Sequence, residues 1–184
     1  MSTAVADMFG KERGETTKGC AVISIYEDLG CRDLLLHLCD SLVWKFKDDL
    51  EFQIDWWRFK YLADPEIAMD AARRAAQADL ILLSAQSREL PSDVRQWFEM
   101  WLPHREAGDG ALVLVQPSPK GASRMLPAFL RQTAKRARLD YLRLSASLSA
   151  PGAAGTGTGF SLFQPYINEL LAEDDQPMHW GINE

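Results

Sequence analysis

Residues 78–103, "ADLILLSAQSRELPSDVRQWFEMWLP", decide how this chain is read. Leu80 to Leu83 form a short continuous apolar run between Asp79 and Ser84, which predicts a strand covered on both faces. After a polar turn, Val94, Trp97, Phe98, Trp101 and Leu102 recur at i, i+3, i+4, i+7 and i+8 and give one apolar helix face. Ser92 is the expected N-cap and Pro103 the stop. A doubly covered strand feeding an amphipathic helix is half of a parallel crossover unit.

The same alternation extends in both directions. Towards the N-terminus, "CAVISIY" (20–26) is a second β-branched apolar run, and Leu35, Leu38, Cys39, Leu42, Phe46 and Leu50 make a helical stripe over 32–50. "FQIDWWRF" (52–59) reads as a strand. Asp64 as N-cap, Pro65 at the first helical position and Glu66 in the first turn open a helix whose face is Ile67, Ala68, Ala71, Ala72 and Ala75. Towards the C-terminus, "GALVLVQPSPKG" (110–121) and "LDYLRLSA" (139–146) are strands. Between them "SRMLPAFLRQTAKRAR" (123–138) is a helix with Met125, Leu126, Phe129 and Leu130 inward. Leu162, Phe163, Tyr166, Ile167, Leu170 and Leu171 suit a closing helix.

Five strands alternating with five helices predict a three-layer α/β/α sandwich around a five-stranded parallel sheet of order 2-1-3-4-5, the flavodoxin-like arrangement. One domain is expected over 19–173, with a Gly/Ser/Ala-rich loop at 145–159 inside it. A flexible polar lead-in (1–18) precedes it and an acidic, aromatic tail (174–184) follows. In such a sheet, ligands bind at the carboxyl ends of the first and third strands. Tyr26, Glu27 and Asp28 fall at one of these ends, Ser84 and Gln86 at the other.

Composition narrows the function classes. The chain has 184 residues and a net charge of −6, which argues against general affinity for nucleic acid. Residues 119–138 hold six Lys or Arg and no acid, so with the whole chain at −6 and this segment at +6 the remainder sits at −12. The plain reading of such a run is a solvated helix face; the functional one is a surface for an acidic partner. No apolar run reaches the length of a membrane span, and the N-terminus lacks the order of a secretion signal, so a cytoplasmic protein is expected. Cys20, Cys31 and Cys39 form no C-x-x-C and read as packed thiols. His37, His104 and His179 show no metal-ligand spacing.

The Glu27–Asp28 pair is the one place where a divalent cation, Mg²⁺, is considered; otherwise no cofactor is expected. A turn that binds a flavin phosphate would need glycines and hydroxyls after the first strand, whereas this one carries two carboxylates that repel phosphate. The run Gly155-Thr156-Gly157-Thr158-Gly159 has neither the strand nor the spacing of a nucleotide loop and reads as a linker. In the tail, Trp180 and Ile182 are costly to leave in water and suit docking onto a protein partner or back onto the domain.

Over 19–145 the layout resembles the receiver domains of bacterial response regulators. Glu27 and Asp28 match that family's acidic pair. Ser84, Ala85 and Gln86 stand where the resemblance would place a phosphoacceptor aspartate, and the fifth strand has no lysine. The resemblance therefore implies a pseudo-receiver, a non-catalytic regulatory or protein-interaction module; the residues themselves suggest partners reached through the tail or the basic helix 124–138, and no membrane. A second resemblance, to Toll/interleukin-receptor (TIR) domains, rests on "VISIY", Ser84, Ser92 and Glu99. It implies an NAD-cleaving enzyme using Glu99, although Glu99 falls one residue beyond the family's glutamate, a turn of about 100° on a helix.

Overall fold

The computed structural model of the chain describes residues 18–106, 108–117 and 124–146. Five strands, β1 (Lys18–Tyr26), β2 (Leu50–Arg58), β3 (Leu80–Ser84), β4 (Ala111–Pro117) and β5 (Asp140–Ala146), pair in parallel in the order β2-β1-β3-β4-β5. Four α-helices alternate with them: α1 (Leu29–Phe46), α2 (Pro65–Gln77), α3 (Ser92–Trp101) and α4 (Met125–Ala137). This is the expected sheet and order. The closing helix at 162–171, the loop at 145–159 beyond Ala146, and both terminal segments lie outside the described residues.

Alternation along the strands sorts side chains onto two faces. Ile23, Ile25, Ile81, Leu83, Leu112 and Leu114 point to one face, where they meet the alanines of α2, the aromatic face of α3, and Leu126, Leu130 and Ala134 of α4. Val22, Leu82, Val113, Val115 and Leu144 point to the other and meet Leu34, Leu35, Leu38 and Cys39 of α1. Val94, Trp97, Phe98 and Trp101 are completely buried, so the helical spacing that predicted α3 is also its packing face. For Val94 and Phe98 burial contributes roughly 1.5–3 kcal/mol each; Trp97 and Trp101 offset part of their gain, because their buried indole N–H groups have no hydrogen-bond partner among the described residues. The small face of α2 lets its backbone approach the sheet. Asp64 caps it by accepting from the amides of Glu66 (2.9 Å) and Ile67 (3.3 Å).

Four details differ from expectation. Leu50 is not the last turn of α1: that helix ends at Phe46, after which Lys47, Asp48 and Asp49 offer no apolar side chain, and Leu50 opens β2 opposite Lys18. Phe59 leaves β2 and begins a 3-10 turn, Phe59–Ala63, that buries its ring. Met125 is outward, because the buried positions of α4 run Leu126, Leu130, Ala134 and Ala137, one residue out of phase with it. Ser92 is the first residue of α3 rather than its cap, a place taken by Pro91 without a side-chain bond.

At the amino end of the sheet the loops are tied closely. Asp79 accepts from the Ala21 amide through its carboxylate (2.8 Å) and from the Ala111 amide through its carbonyl (2.9 Å). Arg105 donates to the carbonyls of Ala75 (3.2 Å) and Ala78 (2.8 Å), satisfying the end of α2. Gly110 sits in this crossing, where a Cβ would come within 2.6 Å of the Asp79 carbonyl oxygen. Beside these ties lies an open hollow of about 540 Å³ whose lining includes Arg73, Asp79, His104 and Arg105; the candidate residues read from the sequence lie at the opposite, carboxyl end.

Candidate functional site at the carboxyl edge of the sheet

Tyr26 and Ser84 are paired at the last rung of β1 and β3, and the Glu27 amide donates to the Ser84 carbonyl at 3.1 Å. The strand register therefore brings the turn after β1 against the turn after β3, and Tyr26, Glu27, Asp28, Ser84 and Gln86 do form one neighbourhood.

Within it the carboxylates have structural partners. Glu27 Oε2 accepts from the backbone amides of Gln86 (2.7 Å) and Ser87 (2.9 Å), and Glu27 Oε1 accepts from the Ser87 hydroxyl. The Glu27 carbonyl accepts from Arg58 Nε at 3.3 Å, which adds the end of β2. Asp28 is the N-cap of α1: its extended backbone turns the chain, and its Oδ1 accepts from the Cys31 amide at 2.8 Å. Its second oxygen accepts from Gln86 Nε2 at 3.2 Å. One carboxylate thus holds the β3–α3 turn and the other starts a helix. Ser87 and Arg58 were missed by sequence reasoning, because a hydroxyl in a polar turn and a cation at a strand end carry no periodic signal.

Ser84 and Tyr26 take different places. Ser84 is fully buried, and its hydroxyl has no hydrogen-bond partner among the described residues, so it lies beneath the edge rather than lining it. Tyr26 is half-buried, with its ring edge-on to Trp56 at 6.4 Å between centroids. Gln86 is exposed. Beneath the turn, burial pushes the Cys31 thiol up, partly offset by the Ser84 hydroxyl facing it. Burial likewise pushes the Cys39 thiol up to about 11. Thiols held in that form are poor nucleophiles and packed like small hydrophobes.

For a cation the donor set does not fit. Every carboxylate oxygen of Glu27 and Asp28 faces an N–H or O–H donor, and among the described residues no three His, Cys, Asp or Glu side chains group as ligands. Glu99 is placed elsewhere. It lies about 10 Å along the axis of α3 from its first turn. There it makes a two-pronged ion pair with Arg136 of α4, at 2.6 and 2.7 Å, whose hydrogen bonds hold the carboxyl below its ordinary value. An exposed carboxylate neutralised in this way is not brought to the Ser84 turn. Trp180 and Ile182 lie outside the described residues.

Next to the turn, between the start of α3 and the head of α4, is a hollow of about 160 Å³ lined by Glu89, Leu90, Arg95, Met125, Leu126 and Phe129. The Arg95 guanidinium stands 6.0 Å from the Phe129 ring centre and reaches Glu89 at 3.4 Å. The walls are apolar with a charged rim.

Fold and edge together define a flavodoxin-like α/β domain. No protein-family model matches the sequence, and no curated protein is similar to it in sequence. Among solved structures it is similar to the flavodoxin of Streptococcus pneumoniae TIGR4, with a TM-score of 0.50 and 12% identity over 84% of this chain and 99% of that one. It is also similar to general stress protein 14 of Treponema denticola, solved in complex with FMN, with a TM-score of 0.49 and 14% identity over 85% and 98% of the two chains. The flavoenzyme FerB of Paracoccus denitrificans gives a TM-score of 0.43 and 15% identity over 84% of this chain and 92% of that one. At such identities the likeness shows the fold. Neither the receiver-domain nor the TIR resemblance is shown by these comparisons.

One expectation is corrected by them. The sequence led to no cofactor, or Mg²⁺ at most, whereas a flavodoxin shares this fold, which removes the ground for that expectation and makes a flavin the group to set against the residues of the edge. The residues after β1 do not fit its phosphate. A phosphate site at a helix N-terminus needs unpaired amide donors. Here Asp28 takes the Cys31 amide and Glu27 takes those of Gln86 and Ser87, and only Glu27 and Asp28 separate β1 from α1.

Proposed function

We propose that this protein is a regulatory or protein-interaction module on the flavodoxin-like scaffold, of pseudo-receiver type, working by recognition at its carboxyl edge. The observation that carries this reading is the double use of the acidic turn: Glu27 binds the β3–α3 turn and Asp28 caps α1. Where a phosphorelay would need a free acidic pair beside an acceptor carboxylate, the carboxylates are engaged and the neighbouring strand ends in the buried Ser84. The edge is pre-organised, and its exposed surface is Leu29, Gln86 and Ser87. A fixed polar and apolar surface of this kind suits a protein partner, because little ordering entropy is lost on docking.

The test is chemical first. Purified protein incubated with acetyl phosphate and Mg²⁺, and separately with NAD⁺, is followed by intact mass and by nucleotide chromatography. Neither an adduct nor loss of NAD⁺ is expected, and either result at stoichiometric yield overturns the non-catalytic reading. A Leu29→Arg/Gln86→Arg variant then serves as bait beside the wild type. A partner retained by wild type and lost by the variant at equal melting temperature is expected; a partner insensitive to these changes moves the recognition surface elsewhere.

A further inference from the structure

The open hollow of about 540 Å³ at the amino edge of the sheet takes its walls from three places: α2 near its end (Arg73), the turn into β3 (Asp79) and the stretch after α3 (His104, Arg105, Glu106, Asp109). Arg105 is the group to explain. Its Nη1 donates to the Ala75 and Ala78 carbonyls, which fixes the guanidinium in place, but both acceptors are neutral. Its Nε is buried with no hydrogen-bond partner, and no carboxylate of the described residues stands at ion-pair distance from it. Burial pushes its pKa down, with the more distant Asp79 opposing. Capping α2 uses only Nη1; a half-buried guanidinium also calls for a counter-charge. Arg73 is exposed and likewise makes no ion pair among the described residues, whereas its neighbour Arg74 is taken by Asp55 at 3.0 Å and Asp70 at 3.4 Å.

We propose that this hollow binds a small zwitterion of amino-acid type, its carboxylate held by Arg105 and Arg73 and its ammonium by Asp79 and Asp109. The lining carries both signs: Arg73 and Arg105 give +2, and Asp79, Glu106 and Asp109 give −3, so with His104 neutral the sum is −1. A bare anion meets that net negative charge. A molecule with both charges sets its carboxylate on the guanidiniums, which match it two-pronged, and turns its ammonium to the carboxylates. Asp79 is already oriented for this, because one of its oxygens accepts from the Ala21 amide at 2.8 Å. The volume falls within the range of about 300–1,000 Å³ typical of small-ligand sites and leaves room for a side chain. The site lies at the end of the sheet opposite Glu27 and Asp28, so it stands independently of recognition at the carboxyl edge.

The test titrates each of the common L-amino acids into the full chain by calorimetry, and repeats the tightest as its N-acetyl and its carboxamide derivative. At least one amino acid is expected to bind with a Kd of about 1 mM or tighter. Each derivative lacks one of the two charges and is expected to bind about tenfold weaker or worse, the loss of a hydrogen bond to a charged group. Arg73→Gln and Asp109→Asn change exposed side chains and are each expected to weaken binding by about the same factor at unchanged melting temperature. Arg105 is left intact because it also ends α2. The derivative series decides if a variant fails to fold. Absence of any amino acid binding at that affinity overturns the proposal. So does full binding of either derivative, which would make the ligand a plain anion or cation, and so does binding indifferent to either variant, which would place the ligand elsewhere.

Discussion

Glu27 accepts the Gln86 backbone amide at 2.7 Å, across the gap between the ends of β1 and β3. This bond and its neighbour at Ser87 turn an acidic turn into a structural bolt: a charged acceptor satisfies two amides that the β3–α3 turn leaves unpaired.

Removing the bolt should cost stability. Glu27→Ala is expected to lower unfolding free energy by about 1.5–3 kcal/mol, the range for hydrogen bonds to a charged group, and Glu27→Gln by less because an acceptor remains. Urea denaturation of the two variants measures this. Equal stability of Glu27→Ala and wild type would show that the bonds contribute nothing.

Asp28 has a separate job, so its loss should appear in α1. Asp28→Ala is expected to cost about 0.5–2 kcal/mol and Asp28→Asn only a fraction of that, because asparagine caps nearly as well. Hydrogen exchange should locate the loss in the first turn of α1, at the Cys31 amide.

Gly110→Ala brings a methyl group within 2.6 Å of the Asp79 carbonyl oxygen, where backbone atoms cannot rotate away. A loss of about 1–3 kcal/mol is expected, of the order found for overpacked sites. Thermal unfolding of the single variant is sufficient to check it.

The Glu99–Arg136 pair supplies a pH test with a defined sign. Arg136 lowers the folded-state pKa of Glu99 below its ordinary 4.5, so the pair's contribution is present above that value and is lost as pH falls through the lowered one. Both side chains are about half exposed, so water and salt screen the pair, and Glu99→Gln should cost less than about 1 kcal/mol near neutrality. The difference between variant and wild type should vanish in acid. An undiminished difference well below pH 4.5 would contradict the assignment.

The thiols should react in order of access. Cys20 is half-buried and its pKa is raised by burial and then by Asp79, whereas Cys31 and Cys39 are buried. With a disulfide reagent at mild alkaline pH, one thiol is expected to titrate ahead of two that wait for unfolding.

How much of this was legible depends on the range of each interaction. The apolar run at Leu80–Leu83 and the i, i+3, i+4 spacing of Val94, Trp97, Phe98 and Trp101 are local and repeat, so sheet, order and faces followed from them. Leu50 was misplaced because an apolar residue in phase with a helix carries no mark that three polar residues have ended it. Met125 was misplaced because its neighbour Leu126 satisfies the same pattern one step later. The edge was located by topology, but its chemistry was not. That Glu27 would meet Ser87, 60 positions away, depends on the β1–β3 register, which no single segment encodes.

That Glu27 and Asp28 occupy the Cys31, Gln86 and Ser87 amides and set two carboxylates where a phosphate would lie is checked by comparing FMN with riboflavin. Both are titrated into the full chain and followed by quenching of flavin fluorescence. FMN is expected to bind no tighter than riboflavin, because its phosphate meets two engaged carboxylates. FMN binding ten times tighter or more, about 1.4 kcal/mol gained through the phosphate alone, would contradict it.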